Sequence, residues 1–180
     1  MPALDGLRGL AVAAVVAFHT GHLRGGWLGV DMFFVLSGFL ITGLLLQERT
    51  TEGTISLPAF WRRRALRLLP ALAFVLAAVA VYARWYALPR ELHQLRVDVV
   101  STFTYSANWV SVAGHRGYWA QYALPSPLAH TWSLAIEEQF YLLWPLVVVA
   151  VLGRRSPRPR VRTLAIVCAA GALMSALVAI

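Results

Sequence analysis

The sequence predicts an all-α fold: a polytopic bundle of about five membrane-spanning helices and one further re-entrant or interfacial helix. Three observations carry this. Of 180 residues, 59% are hydrophobic and only 13% are charged, where a soluble domain has about a quarter charged and under half apolar residues. The apolar residues form runs near the ~20 residues that a spanning helix needs. The basic residues cluster between those runs, as cytoplasmic loop anchors do.

Span one is expected over Leu4 to Thr20 and is followed by a Gly-rich turn, Gly21 to Gly26. Span two covers Trp27 to Leu46, with Trp27 as an interfacial anchor. Gln47 to Pro58 is polar and reads as a loop. Arg62, Arg63, Arg64 and Arg67 then precede an apolar run from Leu68 to Trp85, which is span three. The positive-inside rule puts these arginines, and with them the N-terminus, on the cytoplasmic side. Tyr86 to Arg96 reads as a mixed loop and Gly114 to Pro127 as another. Leu128 to Leu152 is a strong span, with Glu137 and Glu138 near its outer half. The segment Gly153 to Arg162 carries five arginines and two prolines and is again inside.

Two inside loops require an even number of crossings between them. Span three and the Leu128–Leu152 span make two. Val97 to Ala113 is apolar but dotted with Asp98, Ser101, Thr102, Thr104, Ser106, Asn108 and Ser111. It is therefore expected to be re-entrant or interfacial on the outer side, since irregular backbone at membrane depth is tolerated where it lines a cavity; the alternative is that it spans and one of the arginine loops breaks the rule. The last span starts at Thr163 and has barely reached spanning length at Ile180, so the chain is expected to be the first part of a longer membrane protein. The N-terminus has no basic region ahead of its apolar run and does not read as a signal peptide.

The net charge of +8 would suggest nucleic acid in a soluble protein. No aromatic-interleaved basic face appears, so that partner is excluded. All sixteen basic residues are arginine. The single cysteine, Cys168, forms no intrachain disulfide and no Cys-based metal site, and no zinc spacing surrounds His19 or His22. No metal is expected.

Four stretches carry residues suited to chemistry. In the first, Arg8 and His19 are eleven apart, about three helical turns, and so lie on nearly one helix face roughly 16 Å apart. An ionisable group within a span is a functional-site hypothesis by default; the alternative is a histidine facing a water-filled vestibule or satisfied by a neighbouring helix. In the second, Asp31 stands at the head of the apolar run Gly29 to Thr42, GVDMFFVLSGFLIT, either behind a site or near the outer interface. Ser37 lacks the GxSxG elbow of a nucleophile. In the third, Arg64 and Arg67 are neighbours on a helix face. Two guanidinium forks can clamp a diphosphate, and juxtamembrane arginines also anchor topology and meet lipid headgroups. In the fourth, His130 to Tyr141, HTWSLAIEEQFY, the residues Ser133, Glu137 and Tyr141 recur at four-residue spacing on one face. A carboxylate within a span is costly unless paired; its partner is His19 or an arginine. Asp5 is placed to pair with Arg8, and Asn108 and Trp109 to line a cavity.

Arg8-x10-His19, GVDMFFVLSGFLIT, Arg64-x-x-Arg67 with Pro70 after it, and HTWSLAIEEQFY stand in this order, and together they resemble the membrane-bound acyltransferase 3 family, which includes O-antigen and peptidoglycan O-acetylases. The resemblance covers nearly all of the chain but about the first half of such a protein, and it implies that residues 1–180 are the N-terminal part of a single integral-membrane acyltransferase domain in a bacterial cytoplasmic membrane. It implies transfer of an acyl group, acetyl above all, from acyl-CoA to a carbohydrate hydroxyl on a cell-surface glycan or glycosylated metabolite, with no tightly bound cofactor. His19 and Glu137 are then the catalytic candidates. Arg8, Arg64, Arg67, Asp31 and Ser133 are the substrate-binding ones. Two other readings stand beside it: a transporter or channel segment with an intramembrane His/Glu path, and an inactive fragment that keeps the motifs.

Overall fold

The computed structural model describes residues 2–114, 126–152 and 161–178, with side chains over 3–114, 126–152 and 162–173. Among the described residues there are seven helices and no strand: α1 Pro2–His19, α2 Leu28–Glu52, α3 Leu57–Trp85, α4 Pro89–Phe103, α5 Ala107–Ala113, α6 Thr131–Leu152 and α7 Val161–Val178. The expected all-α architecture is present. Three helices, α2, α3 and α6, are long and apolar enough to cross a membrane. Their outward side chains are apolar: Phe39 and Val35 on α2 and Phe74 on α3 are among the large hydrophobic residues left exposed, Phe74 at 76%. Exposed apolar surface on this scale marks an interaction face, and on helices of this length a lipid one.

The stretch Val97 to Ala113 is not one helix. It breaks at Thr104–Ser106 between α4, of 15 residues, and α5, of seven. At ~1.5 Å per residue α4 reaches only about 22 Å, short of the ~30 Å hydrocarbon core. Two expected loops are shorter than the polar composition suggested. Gln47 to Glu52 continues α2, leaving only 53–56 as the turn, because Thr50 and Thr51 return their hydroxyls to Gln47 O within the helix rather than breaking it. Likewise Tyr86 to Arg96 is mostly α4. Pro89 starts that helix with no N–H to lose, and Glu91 reaches back to accept the Leu88 N–H at 3.1 Å. The two remaining expected loops fall largely on 115–125 and 153–160, outside the described residues.

The chain divides into two compact units, Met1–Leu57 with Leu143–Ile180, and Pro58–Leu142. In the first unit α1 ends in a Schellman turn: Gly21, at φ 77°, donates to Phe18 O, and His22 N–H reaches Ala17 O. The chain then folds straight back so that Gly26 and Gly29 lie on the α1 backbone. A Cβ at Gly29 would fall 2.4 Å from Ala11 O, and one at Gly26 2.2 Å from Ala14 O. Only glycine permits this approach. Farther along α2, Trp144 Nε1 donates to Thr42 Oγ1 at 2.8 Å, and Thr42 passes its own proton to Gly38 O. Cys168 is exposed on α7. In the second unit Val79, Leu95 and Leu128 form a buried cluster joining α3, α4 and the turn before α6.

Gly29→Ala is expected to lower thermal stability in detergent by about 1–3 kcal/mol, since the methyl forces α1 and α2 apart. Gly43→Ala, which meets open space on the same helix, is expected to raise it by roughly 0.5–1 kcal/mol through helix propensity. Equal shifts from the two would show that the approach at Gly29 is not tight.

Candidate active site

The second unit holds a charged cluster between α3 and α6. Arg64 lies in the third turn of α3, half-buried, and Glu137 lies in the second turn of α6, 8% exposed. Arg64 Nη2 donates to Glu137 Oε1 at 3.3 Å, and Arg64 Nε stands 3.9 Å from Glu138 Oε1. The guanidinium carbon sits over the Tyr141 ring, 3.3 Å from its centroid. The Tyr141 hydroxyl donates to the same Glu137 oxygen. The four-residue spacing of Glu137 and Tyr141 thus puts both on the face that meets Arg64.

One turn before Arg64, Trp61 Nε1 donates to Tyr141 O at 3.2 Å. The partners of Trp61 and Arg64 run backwards along α6, so α3 and α6 are antiparallel at this level. An ion pair so little exposed is costly to desolvate and is kept by its additional bonds; the second carboxyl, the phenol and the ring supply them, and a desolvated cation–π contact contributes about 2 kcal/mol. Of the partners expected for Glu137, an arginine, Arg64, stands beside it. The sequence put the arginines at the inner interface and Glu137 toward the outer half of its span. Groups 3.3 Å apart stand at one depth, so those two placements do not hold together.

The opposite side of α6 packs on α4 and α5. Thr102 and Thr131 share a hydroxyl–hydroxyl bond of 2.8 Å, and Thr131 also donates to Leu128 O. Gln139 and Asn108 exchange amide bonds of 3.0 and 3.3 Å, and Gln139 Nε2 donates to Tyr105 O at 2.8 Å. Asn108 therefore bonds to α6, while Trp109 beside it is 65% exposed. Burial, and then the charge of Glu138, push the Tyr105 phenol above its ordinary value. Ser133 donates to His130 O one turn back. Arg67 is exposed on α3, as are Arg62 and Arg63.

The first unit holds the other candidates. Arg8 and His19 are carried by the single helix α1, as their spacing required. Arg8 Cζ lies 4.6 Å from the Phe33 ring centroid of α2. His19 is the last residue of α1 and is exposed, with its ring edge-on to Phe18. Its Nδ1 is 2.8 Å from Val15 O. A carbonyl oxygen only accepts, so Nδ1 carries the proton, and in the neutral ring the lone pair is on Nε2. Asp31 is exposed in the first turn of α2, where the helix dipole favours an anion.

Trp61, Tyr105 and Gln139 were not among the expected site residues. Gln139 was readable as the third polar residue of Glu137-Glu138-Gln139. The indole of Trp61 and the backbone of Tyr105 leave no such mark. Among the described residues no cluster of histidine, cysteine or carboxylate is arranged to hold a metal ion.

Replacing Arg64 or Glu137 singly by alanine is expected to cost about 3–5 kcal/mol, because each leaves the other charge buried. Arg64→Lys keeps the charge but loses the fork and the flat face on Tyr141, and is expected to recover only part of it. Thermal unfolding in detergent with the double variant measures this; additive single losses would mean that the two do not interact.

Comparison with known proteins gives the context for these residues. The chain is 44% identical to the peptidoglycan O-acetyltransferase OatA of Listeria monocytogenes over 154 residues, 84% of this chain and 25% of that protein. It is 44% identical to the O-acetyltransferase OatA of Staphylococcus aureus over 169 residues, 93% of this chain and 28% of that protein. The chain thus spans about a quarter of the length of these curated relatives. No solved structure matches it. The family profile described as an acyltransferase domain matches residues 1–179, and the chain belongs to the acyltransferase 3 family of membrane O-acetyltransferases.

Proposed function

We propose that this chain is the N-terminal part of one integral-membrane acyltransferase domain that moves acetyl from acetyl-CoA to a hydroxyl of a cell-surface glycan, peptidoglycan first among the acceptors. The observation that carries the reading is the family match over residues 1–179, which takes in all four motif stretches. The names of the relatives support the acceptor. The membrane is the bacterial cytoplasmic membrane, with the N-terminus inside, where coenzyme A is found. Positive-inside bias in 62–67 supports that orientation.

The chemistry follows from what an acyl transfer to oxygen needs. His19 Nε2 takes the proton of the acceptor hydroxyl as its oxygen attacks the thioester carbonyl. The carbon–sulfur bond breaks, and the coenzyme A thiolate leaves with the proton that the histidine gives back. The Nδ1–H held on Val15 O fixes the tautomer whose lone pair is on Nε2. Glu137 acts through Arg64: the pair fixes a guanidinium in the apolar interior of α3 and α6. Arg67, exposed one turn on, makes the first contact with the donor phosphates, and Arg64 completes their binding. Asp31, carried like His19 by the first unit, borders the acceptor.

The test uses the protein expressed from its natural gene and purified in detergent with acetyl-CoA and a panel of glycan acceptors. Wild type is expected to release coenzyme A in proportion to acceptor O-acetylation. A folded His19→Ala variant is expected to lose more than about a hundredfold of that rate, the range of general-base contributions. Unchanged turnover would remove His19 from the mechanism. Acyl-CoA-independent proton flux through the reconstituted protein would favour the transport reading instead.

A further inference from the structure

Pro145 stands inside α6, buried, and the helix continues on both sides of it. A proline has no N–H, so residue 145 returns no hydrogen bond to the carbonyl four residues back, which its ring also crowds. That carbonyl belongs to Tyr141. In a helix long and apolar enough to cross a membrane, water does not make up the loss, and a proline is tolerated where a neighbouring helix supplies the donor. Here the donor comes from α3: Trp61 Nε1 bonds to Tyr141 O at 3.2 Å. The half-buried indole thus serves the one carbonyl to which Pro145 brings nothing, while Arg62 and Arg63 after it are exposed.

Tyr141 is bonded at three points, and all three bear on Arg64. Its carbonyl accepts from Trp61, its hydroxyl donates to Glu137, and its ring centroid lies 3.3 Å from Arg64 Cζ. Glu137 in turn accepts from Arg64 at 3.3 Å. Trp61 and Arg64 are three residues apart and so neighbours on α3, as Glu137 and Tyr141 are on α6. All four belong to the second unit. At the turn that Pro145 weakens, the backbone of Tyr141 is held by α3 in place of the following turn of its own helix. The ring and the hydroxyl move with that backbone.

We propose that Trp61 is a positioning residue for Arg64: its indole supplies the hydrogen bond that Pro145 withholds from Tyr141 O, and so keeps the Tyr141 ring and hydroxyl where they seat the guanidinium beside Glu137. In this role Trp61 acts through Tyr141 and touches no substrate. The kinetic readout rests on the reading above of Arg64 as a ligand of the donor phosphates; the stability readout does not.

The test restores the missing donor by another route. Pro145→Ala returns an N–H to α6, Trp61→Phe removes the indole donor, and Trp61→His keeps a ring N–H. These variants, and Trp61→Phe combined with Pro145→Ala, are made in the protein expressed from its natural gene and purified in detergent. Trp61→Phe is expected to raise KM for acetyl-CoA about tenfold with kcat within about twofold, the pattern of lost binding. Trp61→His is expected to fall between it and wild type. In the Pro145→Ala background the effect of Trp61→Phe is expected to shrink to within about twofold, whereas a tryptophan that merely filled space would cost the same in both backgrounds. An equal loss in the two backgrounds, or wild-type KM in Trp61→Phe, would overturn the proposal. Should Pro145→Ala not fold, Trp61→His decides, and a KM no better than that of Trp61→Phe overturns it. If wild type transfers acetyl to no acceptor, the acyltransferase reading fails on its own. Melting temperatures then decide: non-additive shifts of Trp61→Phe and Pro145→Ala support the proposal, and additive shifts overturn it.

Discussion

A charge that is taken out of water must find its partner in the protein, and in this chain that constraint falls on Arg64. Its guanidinium is divided between two carboxyl groups and an aromatic face, all from one helix. That division sets more than the pair. With Trp61 bonded to Tyr141 O, it fixes the register of α3 on α6, because a slip by one residue would turn Glu137 about 100° away from Arg64. A purely apolar seam would tolerate several registers; a buried fork with three partners tolerates one.

The first unit is built on a different device. There the approach of α2 to α1 is so close that backbone meets backbone at Gly26 and Gly29. The Schellman turn at Gly21 ends α1 at His19 and returns the chain within a few residues. The histidine therefore stands at a helix end whose direction is fixed both by the turn and by the crossing. Its ring is further oriented by Val15 O. A group that is to handle a proton needs that kind of fixed tautomer.

How much of this was legible in the sequence depends on which property carried it. Apolar length marked α2, α3 and α6, because it depends only on composition. That 97–113 is a poor single span was legible too, since seven polar residues in one apolar run do not suit one; the break at 104–106 was not. The loops at 47–58 and 86–96 were misread because polarity marks exposure and not the end of a helix: Thr50 and Thr51 bond inward to Gln47, and Pro89 with Glu91 begins a helix rather than interrupting one. In the site, the face shared by Glu137 and Tyr141 followed from spacing. That Arg64 is the partner at hand did not, because spacing orders residues along one helix and says nothing of which helix packs opposite. The left-handed Tyr105 carries no mark in the sequence; its conformation is imposed by Gln139, thirty-four residues away.

The commitments of Arg64 bear on how a donor would be held. The pair Arg64-x-x-Arg67 reads on the page as two equivalent forks, but the structure makes them unlike. Arg64 is half-buried and engaged by Glu137, Glu138 and Tyr141; Arg67 is exposed, with Arg62 and Arg63 exposed beside it on α3. A phosphate arriving from water meets the exposed guanidinium first, since the buried one is already bonded and its exchange would cost the desolvated contacts it has. Binding by both forks then requires Arg64 to loosen its hold on a carboxyl as it takes up phosphate. On this account the two arginines of one motif would do different work: Arg67 would meet the donor first, and Arg64 would pass its arrival to Glu137 on the neighbouring helix.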